Sequence, residues 1–347
     1  MRKYILPIVI IIVILVYSIS TWTGPNFSKN IQENAVKKIE NEKAKRSTPP
    51  TTAMPKSALK RKFKKRRKGR TARQPPESAA ICHSVFPPKA VAQPIGCRPS
   101  FKAPPGLTFE CYEPIILSCN DSFEETRDKY FRFITRRHVE CKESQWLGIM
   151  ERGGWKACMA GPFKPKVDHC IAYGFGVKNQ WSFDEAISSM YGCKAHAFDP
   201  SMGQKDHKHS ERVWFYNTGL GGKDQEKNSK GWKMRTLHSL MKELKHVDKT
   251  IDMIKFDVEF SEWAAIAAML KDNALVNVKQ LAFEIHSWRN TKKDYIYFWQ
   301  LLQGLEDIGF QKWYHYSLPC CCFWPDGIKQ LCPQVNLYYI NTNFIKA

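Results

Sequence analysis

From about residue 165 onward, short apolar runs alternate with stretches in which apolar positions recur every three or four residues. The first pattern belongs to buried strands and the second to helices with one buried face. Their alternation predicts an α/β fold around a parallel sheet. Cys170 to Tyr173 reads as the first strand. Ser182-Phe183-Asp184-Glu185 then has the form of a capping box, with Phe183, Ala186, Ile187 and Met190 on one face and Gly192 where the helix should end. Further strands are predicted at Lys194 to Phe198, stopping at Asp199-Pro200, and at Val213 to Tyr216, ahead of a loop with Gly219, Gly221 and Gly222. Leu237, Leu240, Met241, Leu244 and Val247 mark a helical face, and Ile251 to Phe256 a fourth strand.

Ser261 can cap the next helix, whose buried face would be Trp263, Ile266, Ala267 and Leu270. Val278 to Ile285 is a fifth strand. Phe298, Leu301, Leu302, Leu305 and Ile308 form a helix ended by Gly309, and Trp313 to Leu318 and Val335 to Ile340 close the pattern. The expected architecture is a doubly wound sheet of about seven strands.

Charge changes the picture for the first quarter of the chain. Residues 1–76 hold 19 Lys and Arg against 3 Asp and Glu, so most of the net charge of +21 over 347 residues sits there. Tyr4 to Ile19 is apolar apart from Ser18 and follows Arg2-Lys3. Extended to Trp22, it approaches the roughly 20 residues of a membrane helix, with the positive residues on the cytosolic side. Residues 1–22 are therefore expected to be a signal-anchor, with a cleaved signal peptide at Ser18-Ile19-Ser20 as the rival reading. Either way the body is exported: a single-pass type II membrane protein of the secretory pathway (Golgi or endoplasmic reticulum lumen, or cell surface), or a secreted protein if cleaved.

Residues 23–76 are poor in large apolar side chains and read as a flexible basic stalk. Within it, residues 60–70 carry nine basic side chains in eleven. A solvated spacer, an anchor for polyanions such as sulfated glycans, and a nucleic-acid patch compete there, the membrane segment arguing against the last. Twelve cysteines suit an oxidising compartment. Cys82, Cys97, Cys111, Cys119, Cys141, Cys158 and Cys170 read as a disulfide-bonded, loop-rich region ahead of the main fold, in residues 77–160 and just beyond, with pairings left open. Asn120-Asp121-Ser122 is a glycosylation sequon, as is Asn26-Phe27-Ser28, which lies close to the membrane segment. The main fold would occupy residues 161–347.

In open α/β sheets ligands bind at the carboxyl ends of strands. Asp199, Asp257, Glu259 and Glu284 fall at or next to such ends. Gly174 and Gly176 close the first strand, where glycine lets the backbone pass near a ligand. Asp199 follows at the distance where a carboxylate can accept hydrogen bonds from the ribose of a nucleoside cofactor. Asn179 stands where a third glycine would serve a dinucleotide, which favours an adenosyl mononucleoside. Asp199 before Pro200 also reads as a turn residue, and Glu262 as an acid that complements a helix dipole. His286 is a candidate general base with a structural role as its alternative.

Taken together, "YGFGVKNQWSFDEAISSMYGCKAHAFDPS", "VWFYNTGLGG", "TLHSLMKELKH", "IDMIKFDVEFSEW" and "LAFEIHSW" resemble the animal methyltransferase-like proteins related to FkbM-type S-adenosylmethionine-dependent methyltransferases. The resemblance covers Gly153 to Asn341. It implies a Rossmann-like class I methyltransferase sheet, with Gly174 and Gly176 as the glycine motif, Asp199 as the ribose-binding acid, and Asp257 with Glu259 as the acidic motif of the fourth strand. Asp257, Glu259 and His286 are then the catalytic candidates. One position departs from the family: Phe260 stands where the pattern Asp-Val-Glu-Gly has glycine, so the turn is reshaped, or the site is narrowed or lost.

The function expected is methyl transfer from S-adenosylmethionine to an oxygen of a glycan or small molecule. A nucleic-acid acceptor is disfavoured. No metal is assigned; Asp257 and Glu259 could hold a divalent cation, but nothing in the sequence supports it. The alternative is an inactive methyltransferase-fold protein that binds polyanions through its stalk, and a nicotinamide oxidoreductase is a weaker third reading.

Overall fold

A computed structural model describes residues 94–99, 101–150, 152–288, 291–325 and 330–345. The expected membrane segment, the basic stalk, residues 60–70 and Cys82 lie outside the described residues. Among the described residues no helix is long and apolar enough to cross a membrane.

In chain order, β1 (Leu107–Phe109) and β2 (Val139–Cys141) flank α1 (Phe123–Thr135), and β3 (Ser144–Leu147) pairs with β4 (Trp155–Cys158). Then come β5 (Ile171–Phe175), α2 (Ser182–Tyr191), β6 (Lys194–Phe198), β7 (His207–Ser210), β8 (Val213–Tyr216), β9 (Gly219–Leu220), β10 (Met234–Arg235) and α3 (Leu237–Glu243). The chain ends with β11 (Met253–Phe256), α4 (Glu262–Lys271), β12 (Gln280–His286), α5 (Lys292–Asp307), β13 (Phe310–Ser317) and β14 (Gln334–Asn341).

One eight-stranded sheet has the order β13-β14-β12-β11-β5-β6-β8-β7. β8, β6, β5, β11 and β12 are parallel, β14 is antiparallel to both its neighbours, and β7 is antiparallel to β8. The chain leaves central β5 toward β6 and β8, then returns to build β11 and β12 on the other side. That reversal opens a crevice at the carboxyl ends of β5 and β11, where sheets of this kind bind ligands. The strand beyond the expected seven is β7, a polar, mostly exposed edge whose sequence shows no apolar alternation.

The strands bury both faces, which is why they read as continuous apolar runs. Tyr173 and Phe175 of β5 pack into one core with Leu237 of α3, Ile266 of α4, Leu301 of α5 and Tyr130 of α1. Ala172, one residue out of phase, faces a second core with Phe183 and Ile187 of α2, and with Leu147 and Trp155 of β3 and β4. Gly192 ends α2 in the left-handed conformation, as expected. The capping box does not form. Trp181 is the N-cap, while the Ser182 hydroxyl donates to the Arg152 carbonyl at 2.6 Å and accepts from the Ile149 amide at 3.2 Å. Met190 is 50% exposed, and Tyr191 takes the buried position instead. Ser261 precedes α4 without making a capping bond.

Disulfides join Cys97 to Cys111, Cys141 to Cys158, Cys170 to Cys193 and Cys322 to Cys332. The first two lie in the stretch expected to be disulfide-bonded, and the other two add bridges within the main fold. Cys170–Cys193 ties the chain entering β5 to the chain entering β6, and Cys322–Cys332 closes the connection between β13 and β14. Cys320 and Cys321 are free thiols.

Candidate active site

The loop after β5 is drawn tight against the turn after β11. Gly176 has φ +76°, and a Cβ there would lie 1.8 Å from the Asp257 carbonyl oxygen. Only glycine allows this approach. Two further residues of the loop, Lys178 and Asn179, adopt positive φ of 45° and 59°. The Lys178 amide donates to Asp199 Oδ2 at 2.8 Å. Oδ1 of Asp199 accepts from the amide and the hydroxyl of Ser201 at 2.8 and 2.6 Å. A carboxylate offers about four acceptor directions, so Asp199 has room for one further donor. It is thus both a turn residue and a wall of the cavity below, and its spare capacity matches one ribose hydroxyl rather than two.

Gly174 does something other than expected. It lines neither cavity described below; a Cβ there would lie 2.4 Å from Asp184 Oδ1 and 3.0 Å from Lys255 Cε. Its missing side chain makes room for a buried acid and base beneath the strand end. Lys255 Nζ donates to the carbonyls of Phe175 and Gly176 at 3.3 and 3.4 Å. Burial pulls its pKa down, against the attraction of Asp184, Asp257 and Asp199. Asp184 is fully buried with no hydrogen-bond partner on either oxygen. Burial pushes its carboxyl from 3.8 up to about 6, Lys255 opposing.

A carboxyl raised in the folded state favours the fold below its unfolded pKa, and that advantage is lost as pH rises through the folded value. Asp184→Asn keeps the shape of the neutral acid and cannot titrate. It should match the wild type near pH 3.5 and gain on it by up to about 3 kcal/mol by pH 7, in chemical denaturation followed by circular dichroism.

At the end of β11, Glu259 and Phe260 both take left-handed backbone, with φ of 51° and 70°. Phe260 therefore occupies the conformation that glycine would have supplied, at a cost of about 1–2 kcal/mol. Its ring turns outward, is 46% exposed and packs with its centroid 5.1 Å from that of His286. The turn keeps its shape, and the benzyl group forms a rim instead of a plug. Glu259 is ion-paired with Lys178, which links the two strained loops and holds the Glu259 carboxyl low.

His286, the last residue of β12, is surrounded by acids. Its Nδ1 lies 3.1 Å from Glu262 Oε1, which also accepts the His286 amide at 2.8 Å. Nε2 lies 3.2 Å from Glu284 Oε1 and 3.7 Å from Glu259 Oε2. Burial opposes the charge, but hydrogen bonds to Glu262 and Glu284 outweigh it and raise the imidazole to about 10. Both ring nitrogens of His286 thus face carboxylates, and it lines neither of the cavities described below. Asp257 is better suited as a general base. Burial, reinforced by Glu284 and Glu259, raises its carboxyl to about 6, and its Oδ1 is buried with no hydrogen-bond partner.

Glu262 was expected only to complement a helix dipole. It is completely buried at the start of α4 and positions His286; it does not merely complement the helix dipole. A signal was present: it opens "EWAAIAAML", which holds no other charged residue before Lys271.

Two cavities open at these strand ends. One of about 370 Å³ is lined by Phe198, Asp199, Gly219, Leu220 and the turn from Asp257 to Ser261. The other, of about 310 Å³, is lined by Trp146, Trp155, Lys255, Glu284, Tyr316 and Asn336, with Cys320 at its wall. Gly176 and Asp257 are the two residues that line both.

A switch-point crevice flanked by acidic strand ends, with two cavities that share lining residues, defines a Rossmann-like α/β domain. Within that class the chain belongs to the methyltransferase-domain family, whose model matches residues 118–316, more than half of its length. It is similar to Probable methyltransferase-like protein 24 of Homo sapiens, at 25% identity over 289 residues, covering 78% of this chain and 76% of that protein. The Rattus norvegicus protein of the same name is 24% identical over 216 residues, covering 56% of this chain and 59% of its own. A crystal structure of Streptococcus pneumoniae Sp1610 with S-adenosyl-L-methionine covers 51% of this chain and 67% of its own at 13% identity. Its TM-score of 0.28 is too low to bear on the fold or the site.

Proposed function

We propose that the protein is an S-adenosylmethionine-dependent methyltransferase, kin to the FkbM type, acting on an oxygen of a glycan or small molecule in the secretory pathway. The observation that carries this reading is the shared wall at Gly176 and Asp257 between the two cavities. A methyl group must pass between two molecules held in line, and a common wall provides the meeting point.

The adenosyl group would occupy the cavity of about 370 Å³, with its purine against Phe198 and Leu220 and one ribose hydroxyl on Asp199. The donor supplies a sulfonium-activated methyl: a C–O bond forms as the S–C bond breaks, leaving S-adenosylhomocysteine and a proton. Asp257 lies between the cavities with an unpartnered oxygen to receive that proton. Tyr316 and Asn336 offer polar contacts to an acceptor in the smaller cavity.

The type II anchor in residues 1–22, or secretion after cleavage there, belongs to the same proposal. It is supported by the charge asymmetry around the apolar segment and by disulfides, which persist in oxidising compartments. Residues 60–70 would then add affinity for polyanionic surfaces.

Calorimetric titration of the full-length protein in detergent tests the reading. S-adenosylmethionine should bind one site per chain with a dissociation constant between about 1 μM and 1 mM, the usual range for enzyme substrates. A flat titration at millimolar donor, with heparin still bound in a salt-sensitive manner, would favour the inactive polyanion-binding alternative. With tritiated donor and a secreted-glycan fraction, the label should survive base, as an ether does and an ester does not.

A further inference from the structure

We propose that Asp257, Glu284 and His286 form a binding site for one divalent cation of the oxygen-preferring kind, such as Mg²⁺ or Mn²⁺, at the carboxyl ends of β11 and β12, where Asp257 and Glu284 line the smaller cavity. One ligand atom from each residue lies within 4.8 Å of the others. Ions of this class bind at about 2.0–2.6 Å, so ligand atoms at that mutual spacing can share one ion.

Sheet register produces the set. Phe256 of β11 pairs with Phe283 of β12 in parallel, which puts Asp257 and Glu284 side by side one residue further on. Glu284 and His286, two apart on the same strand, project from the same face.

Three features point to an occupant and away from a chance cluster. Glu262, fully buried, grips His286 through both Nδ1 and the backbone amide and so aims Nε2 at Glu284. A carboxylate behind a histidine is the usual support of a metal-bound imidazole. Gln334 similarly holds Glu284 through its side-chain amide. Asp257 Oδ1 is buried and lacks any hydrogen-bond partner, while an Asp257 oxygen lies within 4.8 Å of the other two ligand atoms. The nearby lysines are engaged elsewhere, Lys178 with Glu259 and Lys255 with backbone carbonyls.

The consequence for substrate rests on the proposed methyl transfer. The cation would favour an acceptor with two adjacent oxygens, such as a vicinal diol or a hydroxy acid, chelated from the smaller cavity. It would make the acceptor hydroxyl more acidic, and with one Asp257 oxygen on the cation the proton would pass to the other, in place of the single-oxygen role that Asp257 has without a cation.

Manganese supplies the probe. The full-length protein, stripped with chelator and held without methyl donor, should bind one Mn²⁺ per chain in a titration followed by electron paramagnetic resonance. Pulsed measurements on the wild type should show coupling to an imidazole nitrogen. Asp257→Asn with Glu284→Gln should abolish the site, and Glu262→Gln should weaken it by about 10- to 100-fold. Absence of a stoichiometric ion, absence of nitrogen coupling, or an ion unaffected by these changes would overturn the proposal; His286 would then be the counter-ion of its acids and nothing more. Donor binding is measured separately in chelator, so the cation can fail while the methyltransferase reading stands, and the reverse.

Discussion

Gly176→Ala should leave the protein poorly folded and without measurable affinity for S-adenosylmethionine. Two costs add. The positive φ alone is worth about 1–2 kcal/mol against any L side chain. A methyl group 1.8 Å from the Asp257 carbonyl oxygen then forces β5 and β11 apart, because the obstacle is backbone that cannot change rotamer. Together these place the variant at about 4 kcal/mol or more of lost stability, the range reserved for identifiable steric failures. In whatever fraction folds, donor affinity should fall by at least about 100-fold, equivalent to about 2.7 kcal/mol. Gly203→Ala is the control. Gly203 has φ +64° but nothing within 4 Å of its would-be Cβ. It should cost only the conformational part, about 1–2 kcal/mol. Equal losses for the two variants in thermal and chemical denaturation would show that the close approach is not what requires glycine at Gly176.

Glu262→Ala should cost about 3–5 kcal/mol, the usual penalty for removing one partner of a buried ion pair. The substitution leaves His286 Nδ1 and the amide at the end of β12 without their buried acceptor, with Glu284 and Glu259 still facing Nε2. Glu262→Gln keeps one acceptor oxygen and should cost less. The sign of the pH dependence discriminates. A histidine raised from 6.5 to about 10 stabilises the fold fully below its unfolded pKa and loses that contribution as pH rises through the folded value. The gap between wild type and Glu262→Ala, measured in chelator, should therefore be widest near pH 6 and close toward pH 10. A gap that stays constant with pH would mean that Glu262 acts through packing alone.

Much of the sheet was legible because its strands are buried on both sides and its helices on one. Lys194–Phe198 and Val213–Tyr216 form strands at the expected residues, and the reversal beside β5 follows from their order. What escaped was structure without an apolar period. β7 is four polar residues on an edge, and β1 to β4 are short pieces whose burial comes from packing onto the second core. The site was legible as a set of acids at strand ends. Which acid does what was not, because the roles depend on contacts distant in sequence. Gly174 makes room for Asp184 and Lys255, Glu262 serves a histidine 24 residues away, and Asp199 accepts from the Lys178 amide, 21 residues away, as well as from Ser201 in its own turn. Phe260 read as a threat to the pocket because glycine is the easy way to reach positive φ. Here a residue with a benzyl side chain reaches it, half-exposed at the rim of the larger cavity.

The unpaired Cys320 stands on the wall of the smaller cavity, beside Glu284 and Tyr316. That thiol is a natural reporter handle on the cavity proposed for the acceptor. With neighbouring Cys321 replaced by serine, a maleimide fluorophore on Cys320 would sense candidate molecules entering, so a library can be screened before the acceptor's chemistry is known.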